Sequence, residues 1–278
     1  MGDLDLPRGA DAERRECVMK LCVMDDIFFE RYIQDADACE ELIQTVLDNP
    51  KLCIKRGSLE VQKSIKLIGN RSIRVDAYVK DEADKIYNIE IQRADNYDHV
   101  RRVRYHASAI TVDESNPGDK FTDVKDVIVI YISEFDIFKA SRTAYHAYTT
   151  VQETGERVND GLELIYVNTE HPDGSKLSRL MQLYKQPDFA DKDFPKSSAR
   201  MHTLKHNEEE VKYMCDIVRE REQMAAEAAT KTATENTINS MIISLHEKGC
   251  ENDFIADVAK KSIDYVVKII NEGSAVMA

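Results

Sequence analysis

The sequence predicts an α/β protein in which a mixed β-sheet is flanked by helices. Three segments, 58–68, 71–81 and 84–94, alternate apolar and polar residues with the period of two that half-buried strands show, which predicts an antiparallel meander. Two later segments, 126–133 and 162–169, are continuous β-branched runs, which is typical of strands covered on both faces. Helical patterns before and between these segments complete the prediction of a mixed sheet with flanking helices.

Three helices are predicted around the first strands. Segment 16–35 carries apolar residues at mixed spacings of three and four, and segment 38–48 does the same up to Asn49-Pro50, where the proline favours a helix end. A third helix is expected over 95–110, because its apolar residues recur on one helical face.

The C-terminal third becomes polar and helical. A loop is predicted over residues 186–198. Residues 207–249 are predicted to form one long helix or two shorter ones, and residues 251–272 are predicted to form two short helices. The residues expected to be buried in these last two helices are Ile255, Val258, Val266, Ile269 and Ile270.

Composition limits the classes of function. The net charge of −13 over 278 residues repels nucleic acid globally, so any contact with DNA has to be local. The six cysteines are scattered without a Cys-x-x-Cys pair or clustered histidines, which favours reduced thiols over a zinc site or disulfides. Because neither an apolar signal core nor an apolar run near the roughly 20 residues of a membrane span is present, we expect a soluble, cytoplasmic protein without a membrane partner.

The hairpin DAYVKDEADKIYNIEIQ, residues 76–92, carries acidic side chains where an apolar face is expected. Strand alternation places Asp76 on one face of its strand, and Glu90 and Gln92 together on one face of the next. If Asp81 pairs with Lys85 across a three-residue loop, Asp76 and Glu90 face each other, whereas a two-residue loop would place them on opposite faces.

Two facing carboxylates have a specific chemical consequence. They disfavour each other's ionisation, and their burial without compensation is costly. A divalent cation supplies that compensation, and Mg²⁺ prefers a few carboxylates together with waters and phosphate oxygens, an arrangement that can activate water against a phosphodiester. The alternative is a solvated polar face, which is how acids near hairpins usually occur.

In this hairpin the sequence resembles the PD-(D/E)XK nuclease superfamily and, within it, the Rpn-type group of recombination-promoting nucleases and transposases. Asp76 matches the aspartate of the family pattern, Glu90 the glutamate, and Gln92 the position usually written as lysine. Val75 stands where the pattern has proline.

The resemblance extends over roughly residues 15 to 200. Asp25 and Phe28 are similar to the D-x-x-F of the group's first helix, and Arg102 and Tyr105 are similar to its R-x-x-Y helix, in which His106 replaces a second aromatic residue. The resemblance implies a restriction-endonuclease-like mixed sheet flanked by helices, with a C-terminal helical extension.

The same resemblance implies a nuclease-like domain over 1–200 and a helical region over 201–278 that serves as a dimerisation element or a degenerate helix-turn-helix. Acids outnumber lysines in the tail, which favours dimerisation, and hence a homodimer, over DNA reading. The implied activity is that of a metal-dependent DNA endonuclease using Mg²⁺ or Mn²⁺, linked to recombination, mobile elements or phage defence.

The resemblance also implies roles for the hairpin residues. Asp76 and Glu90 would be catalytic metal ligands, with the main-chain carbonyl of Ile91 as a third ligand. Gln92 would orient the attacking water, although an amide can neither supply positive charge nor act as a general base. Asp25 is a candidate for a further carboxylate, with a solvated helix residue as the alternative.

The helix after the hairpin supplies a local basic patch. Arg102 and Tyr105 adjoin on the helix and would hold a phosphate, with a merely solvated face as the alternative. The full patch comprises Arg93, His99, Arg101, Arg102, Arg104 and His106. A second hypothesis for the whole chain is a catalytically weak or inactive nuclease-fold protein that acts as an interaction or regulatory module, which the overall acidity and Gln92 favour.

Overall fold

The computed structural model describes residues 8–67 and 71–276. The predicted end of the first strand at residue 68 therefore lies outside the described residues. In chain order the elements are α1 (Arg8–Lys20), α2 (Asp26–Tyr32), α3 (Ala36–Val46), β1 (Glu60–Ile65), β2 (Ile73–Lys80), β3 (Ile86–Gln92), α4 (His99–Asp113), β4 (Val127–Ser133), β5 (Ala144–Ala147), β6 (Leu162–Asn168), α5 (Lys176–Tyr184), α6 (Pro195–His206), α7 (Glu208–Glu247), α8 (Asn252–Ala259) and α9 (Ile263–Val276).

The six strands form one mixed sheet with the order β1-β2-β3-β4-β6-β5. The first three strands form the predicted antiparallel meander, and β4 and β6 continue the sheet parallel to β3. Every residue of β4 is buried, as the continuous β-branched run predicts. The mixed sheet flanked by helices is therefore confirmed.

Strand β5 is absent from the sequence prediction. It pairs antiparallel with β6 at the edge of the sheet, and none of its four residues is fully buried. A segment this short cannot establish a period of two, so its pairing depends on β6 rather than on its own pattern.

The single helix predicted over 16–35 is wrong, because α1 and α2 are separated by a turn. A side-chain oxygen of Asp25 accepts a hydrogen bond from the Cys22 amide at 2.8 Å. Val23 and Met24 are fully buried at this turn, so their apolar side chains belong to the core rather than to a helical stripe. The buried ammonium of Lys205 donates to the carbonyls that end α1, those of Val18, Met19 and Leu21.

The loop predicted over 186–198 ends earlier than expected, because α6 begins with Pro195 in its first turn. The buried carboxylate of Glu41 accepts hydrogen bonds from the amides of Lys196 at 3.3 Å and Ser197 at 2.7 Å. These amides have no partner within the helix, so Glu41 stabilises its beginning.

The chain forms two compact units, Met1–Asp216 and Ile217–Ala278. For residues 207–249 the sequence predicts one long helix or two shorter ones, and the structure has one, the 40-residue helix α7. In the second unit the end of α7 packs with α8 and α9 around a small core, and the residues fully buried there are Ile242, Ile255, Ala256, Ala259, Val266 and Ile269.

The prediction that Val258 is buried is wrong. Val258 is 42% exposed, because it lies on the side of α8 that also carries Phe254, four residues earlier, away from the small core. All six cysteines are free thiols, as expected. Among the described helices, none combines the length and apolar character needed to cross a membrane.

Candidate active site

The predicted register of the acidic hairpin is confirmed. The Asp81 amide donates to the Lys85 carbonyl at 3.0 Å across a three-residue loop, and Ala77 lies opposite Ile89 further along the strands. Continuing that register by one residue on each strand places Asp76 opposite Glu90 on the same face of the sheet. The structure therefore brings together the two acids that the sequence singles out.

Glu90 is only 2% exposed, and the protein itself supplies its hydrogen-bond donors. The Asn88 side-chain amide donates to Glu90 Oε1 at 2.7 Å, and the imidazole of His106 bonds the same oxygen. The second oxygen, Oε2, lies 3.9 Å from Arg102 Nε. Buried carboxylates need such compensation, so α4, through Arg102 and His106, holds Glu90 in the interior.

Asp76 is half-buried and is compensated less well. One of its oxygens accepts a hydrogen bond from the Ile91 amide at 3.1 Å, and the other accepts a longer one, 3.4 Å, from Gln62 Nε2. Burial and the nearby charge of Glu90 raise the pKa of Asp76 to about 6, although the Ile91 amide works in the opposite direction. The Asp76 carboxylate is thus held by a backbone amide and a side-chain amide, and no cation of the described residues forms an ion pair with it.

Gln62 adds local backbone strain beside Asp76. It lies in β1 between the pairs Val61–Ala77 and Lys63–Val75, which places it opposite Asp76. Its φ of 56° is in the left-handed region, which is uncommon for a residue other than glycine. Strain of this kind clusters at functional sites, where the surrounding structure maintains it.

Gln92 lies on the Asp76 and Glu90 face by strand alternation, as predicted. Its side-chain amide, however, donates to the Ala94 carbonyl at 2.7 Å, so its NH₂ group is engaged with the loop that follows β3. Ile91 is buried, and its main-chain amide is the group that contacts Asp76.

Asp25 lies at the end of β3, but its charge is already paired. It forms an ion pair with Arg93, which also contacts Glu134 at 2.9 Å. The neighbouring Asp26 is the acid of this helix that raises the pKa of Asp76. Asp25 is therefore near the hairpin acids but already paired with Arg93. Asp26 was not singled out from the sequence.

The predicted phosphate pair of Arg102 and Tyr105 is not formed. Arg102 lies beside Glu90, whereas the Tyr105 hydroxyl donates to the Arg71 carbonyl ahead of β2 at 2.7 Å. His99 and His106 are buried, so they do not contribute to an exposed basic patch, and the exposed cations of α4 are Arg101 and Arg104.

The contacts that three residues make with the two acids were not predicted from the sequence. Asn88 could have been found, because it is two residues before Glu90 and so on the same strand face. His106 follows Arg102 by four residues and therefore lies on the same helix face. Nothing in the sequence indicated Gln62, because its contact with Asp76 depends on how β1 pairs with β2.

The donor set of the site fits a magnesium-type ion with few protein ligands. Within the described part of the chain, no group of three or more His, Cys, Asp or Glu side chains is placed to hold a metal. Mg²⁺ is usually bound through one or two carboxylates, with waters and substrate phosphates completing the shell. Asp76 and Glu90 would supply the two carboxylates of such a site, and the burial that raises the pKa of Asp76 is a cost that a bound cation would offset.

A mixed sheet whose central hairpin carries facing carboxylates, covered by a helix that bears arginine, defines a restriction-endonuclease-like fold. The chain belongs to the family described as PD-(D/E)XK nuclease family transposase, whose model matches residues 29–250. No curated protein and no solved structure matches the chain. The matched range contains both hairpin acids and α4, whereas Asp25 precedes it.

Proposed function

We propose that this chain is a metal-dependent DNA endonuclease that hydrolyses phosphodiester bonds and acts in recombination, mobile elements or phage defence. The observation that supports this most strongly is the alignment of Asp76 with Glu90 across a buried hairpin in a chain of the PD-(D/E)XK family. DNA is the proposed substrate, and contact with it is expected to be local because the net charge is −13.

The proposed ligands of Mg²⁺ or Mn²⁺ are Asp76, Glu90 and the main-chain carbonyl of Ile91. When bound, such an ion supplies a Lewis acid and lowers the pKa of a coordinated water. Asn88 and His106 hold Glu90 through Oε1, so Oε2 is the oxygen that faces a ligand.

Two further residues have proposed roles toward the substrate. Arg102, half-exposed beside Glu90, is suited to pair with a substrate phosphate. Gln92 can orient water only after its amide leaves the Ala94 carbonyl, and it cannot take up a proton. We therefore expect slower cleavage than from a site with lysine at this position.

The test is cleavage of supercoiled plasmid by the purified protein in Mg²⁺, in Mn²⁺ or in a chelator. Nicked and linear products are expected with either metal and not with the chelator. Asp76→Ala is expected to abolish cleavage, whereas Asp123→Ala, which removes an exposed acid ahead of β4, should leave it unchanged. Cleavage that persists in the chelator or in Asp76→Ala would refute the proposal.

The second hypothesis, a non-catalytic interaction or regulatory protein, is favoured by one observation. The Gln92 NH₂ group donates to the Ala94 carbonyl, and an amide cannot take up a proton, so the lysine position of the family pattern carries no general base. Calorimetry separates the two hypotheses: Mn²⁺ binding that disappears in Glu90→Gln supports a metal site, and heat that is unchanged by this substitution supports the interaction protein.

The second unit is proposed to form a homodimer through its C-terminal helices. Apolar side chains four residues apart are exposed on each of its two short helices, Phe254 and Val258 on α8, and Ile263 and Val267 on α9. Sedimentation should report a dimer for the full chain and a monomer for Phe254→Glu. A monomeric wild-type chain at micromolar concentration would refute this proposal.

A further inference from the structure

A cavity of about 400 Å³ lies beyond the carboxyl ends of β3 and β4. Its walls come from the segment between β3 and α4, the start of α4, and the segment after β4. The carboxyl ends of neighbouring parallel strands are a common place for ligands in α/β proteins, and pockets for small ligands have volumes of about 300–1,000 Å³. The position and volume of the cavity therefore suit a ligand.

The cavity lies beside the candidate active site, at the ends of the strands that carry it. His99 lines the cavity, and His99 Nδ1 lies 2.9 Å from the hydroxyl of Tyr131, which is opposite Glu90 in the pairing of β3 with β4. The Gln92 amide is bound to the Ala94 carbonyl, just before the lining residues begin. A DNA strand with one phosphate at Asp76 and Glu90 would extend past this cavity.

Aromatic rings form much of the cavity wall. The rings of His99 and Phe135 are 4.9 Å apart between centroids. Tyr97 also lines the cavity and is 88% exposed, so its ring is accessible to a ligand. Its φ of 58° lies in the left-handed region, and its amide is held by a side-chain oxygen of Asp95 at 3.0 Å. The structure thus maintains a costly backbone conformation that keeps this ring in solvent.

The cavity is also lined by two cations, Arg101 and Lys139. Within the described ranges, neither lies within ion-pair distance of a carboxylate, although Lys139 interacts electrostatically with Asp95. The carboxylates of Asp95 and Asp136 also line the cavity, and both already accept hydrogen bonds, Asp95 from the Tyr97 amide and Asp136 from the amides of Phe138 and Lys139. The carboxylate of Asp98, which also lines the cavity, does not cap α4 and can accept hydrogen bonds from the amino groups of a base. Aromatic rings beside cations are the combination that binds single-stranded nucleic acid, by base stacking and phosphate pairing.

We infer that this cavity receives an unstacked base of the DNA strand that is cut, with Tyr97 as the stacking surface and Arg101 and Lys139 as the phosphate contacts. The inference rests on the proposed function in taking the ligand to be the substrate strand. It specifies the substrate class as DNA that is single-stranded or opened at the cleavage position, because a base within an intact duplex is stacked and paired and cannot enter.

The test measures binding separately from cleavage. Anisotropy of a labelled single-stranded oligonucleotide is measured in chelator, where no cleavage is expected, and is repeated with an oligonucleotide of the same length made of abasic nucleotides. The variants are Tyr97→Leu, Tyr97→Phe, which keeps the ring, and Phe121→Leu. Phe121 is a matched control because it is 97% exposed and lies ahead of β4, at the other end of that strand.

Tyr97→Leu is expected to weaken binding of the ordinary strand by about 5- to 150-fold, which corresponds to the about 1–3 kcal/mol of one base stacked on an aromatic ring. Binding of the abasic strand should change by less than about twofold, the usual error of such comparisons. Tyr97→Phe and Phe121→Leu should bind the ordinary strand like the wild type. An intact duplex of the same sequence should bind more weakly than the single strand.

The inference is overturned if Tyr97→Leu leaves binding of the ordinary strand unchanged, or weakens binding of the abasic strand equally. It is also overturned if Phe121→Leu produces the same loss, or if the duplex binds as tightly as the single strand. Plasmid cleavage distinguishes the two proposals. Base-dependent binding without cleavage refutes the endonuclease and keeps the cavity assignment, whereas cleavage without base-dependent binding does the reverse.

Discussion

Replacing Asp76 by asparagine should stabilise the folded protein, and the gain should depend on pH. Asp76 is partly buried beside Glu90, and these two causes raise its pKa from 3.8 to about 6. The amide of asparagine carries no charge, so Asp76→Asn removes both the desolvation of the charge and its repulsion from Glu90. Its carbonyl oxygen can still accept the hydrogen bond that the Ile91 amide now donates to the carboxylate.

The magnitude follows from the two pKa values. In the unfolded chain Asp76 loses its proton near pH 3.8, whereas in the folded protein it keeps the proton up to about pH 6. Below pH 3.8 Asp76 is protonated in both the folded and the unfolded state, so it carries no charge whose burial would lower the free energy of unfolding. Stability therefore falls as the pH rises between the two values, by less than about 1 kcal/mol at pH 4, about 2 kcal/mol at pH 5 and about 3 kcal/mol at pH 8. Asp76→Asn should recover these amounts.

Urea unfolding followed by tyrosine fluorescence measures this difference. The chain has no tryptophan, and of its 12 tyrosines only Tyr265 lies in the second unit, so the signal reports the unit that contains the site. The free energy of unfolding of Asp76→Asn minus that of the wild type is compared at pH 4, 5 and 8. Asp123→Asn, at an exposed acid, serves as the control and should show no comparable change with pH.

Divalent metal should reverse the order of stability. Mg²⁺ or Mn²⁺ that binds at Asp76 stabilises only the wild type, by an amount that grows with the ratio of free metal to its dissociation constant. The reasoning fails if the difference between Asp76→Asn and the wild type is the same at pH 4 and pH 8. It also fails if metal stabilises both proteins equally.

Three further comparisons, at Lys205, Gln62 and His106, test by urea unfolding how the unit around the site is held together. Lys205→Met leaves three carbonyls at the end of α1 without their buried donor and should cost about 2–3 kcal/mol; a neutral result would show that water replaces it. Gln62→Gly should be more stable than Gln62→Ala by about 1 kcal/mol, because glycine adopts a φ of 56° without strain, and equal stabilities would contradict that strain. His106→Ala should cost about 3–5 kcal/mol by leaving Glu90 buried with fewer donors, and adding Glu90→Gln should restore part of the loss.

The sheet could be predicted wherever a strand carries its own pattern. The meander and the strands β4 and β6 alternate or run continuously over at least six residues, which is enough to establish a period. The four residues of β5 are too few, and the turn after α1 depends on one side chain, Asp25, accepting the Cys22 amide. Helical spacing continues through that turn, so periodicity alone could not reveal it.

The alignment of the two acids could be predicted because it depends on one local quantity, the length of the hairpin loop. The three-residue loop fixes the parity of every pair along the strands, including the position of Asp76. The direction of a side chain on a helix depends instead on what the helix packs against. Arg102 and Tyr105 are neighbours in spacing but contact different parts of the chain: Arg102 lies beside Glu90, whereas Tyr105 donates to the Arg71 carbonyl. Their pairing could therefore not be judged from the sequence.

Asp76 and Glu90 differ in how the surrounding residues compensate their charges. Their positions in the sequence do not show this difference. Glu90 is bonded to Asn88 and His106 and lies near Arg102, so the folded chain already compensates its burial. Among the described residues, Asp76 accepts hydrogen bonds from the Ile91 amide and, at a longer distance, from the Gln62 side chain, so its burial is compensated less and its pKa is raised. A cation bound between them would gain most from Asp76, while Glu90 would act chiefly as a fixed anchor. Loss of the Asp76 charge should therefore reduce metal affinity while it stabilises the metal-free protein, whereas loss of a partner of Glu90 should chiefly destabilise the fold.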